Sequence, residues 1–131
     1  MNILLVEDDV LLAKGTANLI QRLSGHSVQV TAEPQQIFEQ SQAGTVDLIL
    51  MDINLPGAKW QGEDLSGADI ARLLKTDPQT ANIPIIIVTA YAMLSEKKAL
   101  LNASLADELF TKPITDYDQL IEMIETLVSQ S

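Results

Sequence analysis

Cysteine is absent from these 131 residues, and histidine occurs once, as His26. Neither a disulfide framework nor a thiolate or His-rich metal site can therefore be built. Aromatic residues make up only 4% of a chain that is 47% hydrophobic, so its core must be assembled from Leu, Ile, Val and Ala. Positive charge is scarce too: eight Lys and Arg stand against eighteen Asp and Glu, a net charge of -10. Such a balance repels polyphosphate backbones and anionic bilayers, so direct nucleic-acid binding is disfavoured. Long apolar runs are missing. The longest, Ile83 to Leu94, is broken at Pro84, and the N-terminal MNILLVEDD has no basic flank and meets Glu7 too soon for a signal peptide. No membrane insertion is expected, and a soluble cytoplasmic protein follows.

What is present is regular alternation. At this length one domain can bury about two-thirds of the surface of its unfolded chain. Short β-branched runs, Asn2 to Val6, Ser27 to Thr31, Val46 to Met51, Ile83 to Val88 and Glu108 to Thr111, read as strands. Helical periods follow each, for example Leu12, Leu19, Ile20 and Leu23 after the first and Tyr117, Leu120, Ile121, Ile124, Leu127 and Val128 after the last. Gly25 and Gly44 close helices, Pro34 opens one, Asp77-Pro78 stops the third, and Ser66 with Asp69 forms a capping box. No repeat or interdomain linker interrupts the pattern. Five β-α units whose first, third and fourth strands are nearly continuous in apolar residues predict an α/β fold: a five-stranded parallel sheet, flavodoxin-like and doubly wound in order 2-1-3-4-5, with five flanking helices.

The residues that end the strands carry the chemistry. Glu7, Asp8 and Asp9 follow the first strand, Asp52 ends the third within VDLILMDINLPG, Thr89 ends the fourth, and Lys112-Pro113 ends the fifth. Taken singly, each has a structural explanation as a helix cap, a turn residue or a solvated strand end. In a parallel sheet, however, these ends share one edge, at the point where the winding reverses. Three carboxylates crowded there raise one another's pKa values unless a cation neutralises them. All-oxygen donors favour a hard ion such as Mg²⁺. A phosphoryl group would complete the coordination, with Asp52 placed as a carboxylate nucleophile, and Lys112 and Thr89 placed to receive charge on the phosphoryl oxygens.

At these residues the sequence resembles the receiver domains of two-component response regulators. ILLVEDD, DLILMDINLPG, IPIIIVTAYA and DELFTKPI carry the resemblance, in family order and at roughly family spacing, over essentially the whole chain. The resemblance implies that Asp52 is the phosphoacceptor, Glu7 and Asp8 the acidic pair, Thr89 the switch hydroxyl and Lys112 the phosphoryl-contacting lysine. It implies Mg²⁺ (or Mn²⁺) held by Glu7, Asp8, Asp52 and the backbone carbonyl of Asn54. The side chains of Asn54 and Tyr91 would modulate the lifetime of the phosphoryl group, and Lys112-Pro113 would be cis. Asp9 falls outside the acidic pair and reads as a helix cap. The expected partners are a histidine kinase or histidine phosphotransfer protein as donor and a downstream protein that reads the surface of the fourth helix, fifth strand and fifth helix. The alanine-rich AYAMLSEKKALLNASLA suits a movable element of that surface. Residues 1-131 read as one receiver domain with no output domain, and the starting Met favours a stand-alone protein.

Three stretches depart from the family. Leu109 stands where receivers carry Tyr or Phe, which leaves the usual threonine-aromatic coupling without its ring; Phe110 should point to the opposite sheet face. Ala58 to Asp64, AKWQGED, is an apparent insertion holding the only tryptophan. It is either a tolerated surface excursion or a segment whose Trp60 covers the acidic site or forms part of a partner surface. Leu105 replaces a common Gly ahead of Ala106-Asp107. Against the receiver reading stand two others. An aspartyl-nucleophile phosphatase of the haloacid-dehalogenase kind needs a second Asp where this chain has Asn54. A non-phosphorylated pseudo-receiver usually lacks the acceptor or the acidic pair, and this chain has both.

Overall fold

Short β-branched runs pair in parallel in the computed structural model, which describes residues 1–90 and 93–130. The strands β1 (Asn2–Val6), β2 (Ser27–Thr31) and β3 (Leu48–Asp52) belong to one sheet. A separate antiparallel hairpin, β4 (Lys59–Trp60) with β5 (Glu63–Asp64), comes next in the chain. The strands expected as fourth and fifth are therefore β6 (Ile85–Thr89) and β7 (Glu108–Thr111). The sheet order β2-β1-β3-β6-β7 is the doubly wound order expected, parallel throughout.

Strands β3 and β6 begin two residues later than the apolar runs suggest. Pro84 has no N–H to give to a ladder; its carbonyl accepts from Ile49, and pairing starts at Ile85. Before β3, the Asp47 carboxylate accepts the Asn2 N–H at 2.7 Å while the Asp47 N–H donates to the Asn2 carbonyl at 2.8 Å, anchoring the entry to the strand. Beyond these starts β3 and β6 are buried at every position. Both of their faces must therefore be covered.

Alternation along the strands divides the core into two layers. Leu4, Val6, Ile49, Met51, Ile85 and Ile87 face α2 (Pro34–Gln42), α3 (Gly67–Thr76) and α4 (Leu94–Ser104). Ile3, Leu5, Leu48, Leu50, Ile86 and Val88 face α1 (Val10–Ser24) and α5 (Tyr117–Gln130). Leu109 joins the first layer and the adjacent Phe110 the second, as strand alternation requires.

Local punctuation holds the helices in place. Asp9 caps α1 by accepting the Leu12 N–H at 3.1 Å. Ser66 and Asp69 form a reciprocal capping box at the start of α3, and Pro34 opens α2. Gly25 closes α1 with φ 78, a left-handed conformation that costs glycine no steric penalty. Leu105 takes the same role after α4 at φ 59, so the turn into β7 is a left-handed cap even without glycine.

Candidate functional site

Each acidic residue reaches the open edge of the sheet because the strand before it ends there. Glu7 follows β1, and its N–H donates to the Thr31 carbonyl at the end of β2. Asp52 is the last residue of β3, paired with Val88 of β6. One carboxylate oxygen from each of Glu7, Asp8 and Asp52 lies within 4.8 Å of the others. Glu7 and Asp52 are buried, whereas Asp8 is exposed.

Lys112 enters from the loop after β7. Its N–H donates to the Thr89 carbonyl at 2.7 Å, which ties that loop to the end of β6. Its Nζ then lies 2.9 Å from Glu7 Oε1 and 3.1 Å from Asp52 Oδ2. One ammonium bridges both buried carboxylates. The pairing with Glu7 was not legible in the sequence, where 105 residues separate the two. The Lys112-Pro113 bond is cis, as expected. Thr89, also buried, stands one residue beyond the partner of Asp52.

The backbone after Asp52 turns back on the carboxylate: the Asn54 N–H donates to Asp52 Oδ1 at 3.2 Å. Beneath it lies a contact that the sequence did not announce. The N–H of Gly67 donates to the Ile53 carbonyl at 2.9 Å, and a Cβ at Gly67 would stand 1.9 Å from the Asp52 carbonyl oxygen. Only glycine lets the start of α3 sit directly against the backbone that carries Asp52. The G of LSGAD is a visible signal, but its neighbour is knowable only from the fold.

Burial pushes the Asp52 carboxyl above its ordinary range, and the hydrogen-bonding approach of Glu7 pushes it further; Lys112 and the Asn54 N–H pull the other way. Burial also opposes ionisation of Glu7, but hydrogen bonds from Asp52, Lys112 and the Asp9 N–H more than offset it, and Glu7 is lowered. Burial works against charge on Lys112 as well, yet the two carboxylates hold it more firmly protonated than usual. The site holds more negative charge than one ammonium can balance, and its donors are all oxygen. It suits a hard divalent cation.

Behind the carboxylates the face between α1 and α5 opens into a cavity of about 340 Å³, walled by Leu12, Val88, Ile114 and Tyr117. The Thr16 and Tyr117 hydroxyls lie 3.2 Å apart across it. Trp60 is not part of this site. It turns onto Phe38 of α2, with ring centroids 4.8 Å apart, and does not line the cavity beside the acidic residues, so of the alternatives the sequence left open the structure does not favour a cover over the acidic site. Tyr91 lies outside the described residues.

The doubly wound sheet carries an acidic cluster at its switch point, and the comparisons name the class of domain to which it belongs. The family model of the response regulator receiver domain matches residues 3–125. The chain belongs to that family. It is 32% identical over 127 residues to the gliding motility regulatory protein of Myxococcus xanthus, and 34% identical over 116 residues to the aerobic respiration control sensor protein ArcB of Escherichia coli. It covers 97% and 88% of itself in those matches but spans only 15% and 14% of those proteins. With the polar-differentiation response regulator DivK of Brucella anthropi it shares 29% identity, covering 99% of this chain and 98% of DivK. A putative response regulator from Chloroflexus aurantiacus superposes with a TM-score of 0.81 at 24% identity, covering 98% of this chain and 97% of that one. The receiver domain of a Pseudomonas aeruginosa sensor histidine kinase does so with 0.78 at 25%, at the same coverage, and was solved with magnesium coordinated in its active site cleft. Receiver domains are modules of two-component signalling, and not classical enzymes. They interact with histidine kinases and phosphotransfer proteins, and they generally bind Mg²⁺ in an acidic pocket.

Proposed function

We propose that Asp52 accepts a phosphoryl group from the phosphohistidine of a partner kinase or phosphotransfer protein. The single observation that carries this reading is the bridge of Lys112 between the buried Glu7 and Asp52, with a third carboxylate, Asp8, at the mouth. A carboxylate oxygen of Asp52 forms the new bond to phosphorus as the donor's phosphorus–nitrogen bond breaks, giving an acyl phosphate and free imidazole. Glu7, Asp8, Asp52 and the Asn54 carbonyl are the residues that would hold Mg²⁺ or Mn²⁺. When bound, the ion neutralises charge on the phosphoryl oxygens. Lys112 keeps its proton and pairs with another of those oxygens, and Thr89 donates a hydrogen bond to the phosphoryl group.

The donor docks on α1, next to the acidic edge. Val10, Leu11, Leu12, Leu19 and Leu23 are exposed there, Leu11 to 82%, a large apolar content for a solvated helix. Phosphorylation is read out through α4, β7 and α5, where Met93 and Leu94 are exposed. Among the described residues no helix is long and apolar enough to cross a membrane.

The test is to incubate the chain with a small phosphodonor and Mg²⁺ and to read the intact mass. One added phosphoryl group, absent in Asp52→Asn, is expected. Continuous release of phosphate with many turnovers would point instead to a phosphatase, and no adduct with any donor to a module that binds without phosphorylation.

A further inference from the structure

The insertion that parts this chain from its family folds into a defined element. The turn residues Gln61 and Gly62 both have positive φ, 52 and 83, the conformation of a tight two-residue hairpin. So short a hairpin has no stability of its own. It is held by Trp60, whose ring leans on the buried Phe38 of α2 at an interplanar angle of 52°. Trp60 stays partly exposed, and with Phe38 it forms one wall of a cleft of about 380 Å³ running toward α3. Leu73 of α3, 43% exposed, lines the cleft as well.

The chemistry of the cleft is uneven. Its charged lining residues are Glu39 and Asp77, and no Lys or Arg among the described residues lines it. Lys59, next to Trp60 in the chain, lies on the opposite face of the hairpin, lining a different depression and standing 3.9 Å from Asp64. An indole face, an exposed leucine and two carboxylates together suit a side chain with an apolar stem and a cationic head. A second copy of this chain would bring its own charge of -10 to the cleft, and an acidic segment would be repelled.

We propose that the cleft between α2 and α3, walled by Trp60 and flanked by Glu39 and Asp77, docks a basic segment of a partner protein. An Arg or Lys of that segment lies on the indole with its stem against Leu73, and the two carboxylates take its charge and that of a neighbouring basic residue. The cleft is on the α2–α3 side of the sheet, opposite the layer that holds α1. A donor on α1 and a basic segment here can therefore bind together. The assignment does not depend on phosphorylation of Asp52.

Trp60 is the sole tryptophan, so the labelled full chain gives a single indole N–H resonance. The probes are capped Ala-Arg-Leu-Arg-Ala and, as control, capped Ala-Glu-Leu-Glu-Ala. The basic peptide is expected to shift the indole signal and the Leu73 and Thr76 amides saturably, more weakly as salt rises, while the acidic peptide shifts none of them. The double variant E39Q/D77N should weaken binding by about tenfold, the scale of losing two exposed charge contacts. Asp77→Asn keeps an acceptor for the Gln79 N–H, now bonded at 2.9 Å, and the remaining resonances report whether the variant is folded. The proposal is overturned by an indole signal blind to the basic peptide, by equal response to the acidic one, or by undiminished affinity in the double variant. An indole shift that follows protein concentration without peptide would also overturn it, in favour of self-association.

Discussion

Lys112 holds together two buried carboxylates that would otherwise repel each other at 6% and 9% side-chain exposure. Removing the ammonium leaves both without a counter-charge, which costs several kcal/mol for fully buried pairs and less where, as here, the lysine is itself 24% exposed. In Mg²⁺-free buffer Lys112→Ala should lose roughly 2 kcal/mol by urea denaturation, and adding Asp52→Asn should restore most of it. A double variant as unstable as the single one would show that carboxylate repulsion is not the cause. Gly67 makes a different demand. A methyl group there meets the Asp52 carbonyl oxygen at 1.9 Å, so either α3 or the acceptor backbone must move. Gly67→Ala is expected to cost about 1–3 kcal/mol through overpacking and to slow adduct formation from a small phosphodonor, measured at a denaturant-free temperature where the variant is folded. An unaltered phosphorylation rate would mean that α3 gives way and Asp52 does not.

The elements were legible where local rules decide them. Asp9 at the start of α1, the Ser66–Asp69 box and Pro34 act within a few residues of their own positions, and the helices they mark were all readable. The β4–β5 hairpin was not. Its strands are two residues each, and its turn puts Gln61, a residue with no preference for positive φ, where Asn or Asp would have signalled it. Its existence rests on packing against Phe38, which no local pattern encodes. At α1 the exposed leucines allow a test of docking separate from chemistry. Leu11→Glu should cut phosphotransfer from a cognate phosphohistidine donor by tenfold or more, the scale of losing one apolar anchor, while labelling by a small phosphodonor stays unchanged. Equal loss with both donors would place the defect in the acidic site and not on the docking face.

For the whole molecule, an ion held at the acidic edge as proposed would couple metal binding to folding. A ligand held by the native state alone stabilises it by RT ln(1 + [L]/Kd), about 2.7 kcal/mol at a hundredfold excess over Kd. Mg²⁺ should therefore raise the melting temperature in proportion to the logarithm of its concentration. Asp8→Asn with Asp52→Asn should abolish the rise, and a rise that survives in this double variant would locate the ion elsewhere. The sequence by itself determined the periods of strand and helix, the caps and the five-unit order, because these depend on neighbours a few residues apart. It also placed Glu7, Asp8, Asp52, Thr89 and Lys112 at strand ends, and parallel pairing sends all such ends to one edge. Only the tertiary structure decided that Lys112 bridges Glu7 as well as Asp52, that Gly67 lies under the Asp52 carbonyl, and that Trp60 turns to Phe38 and away from the acids. Those contacts join residues distant in the chain, and their distances are set by how the sheet twists and how two helical layers close on it.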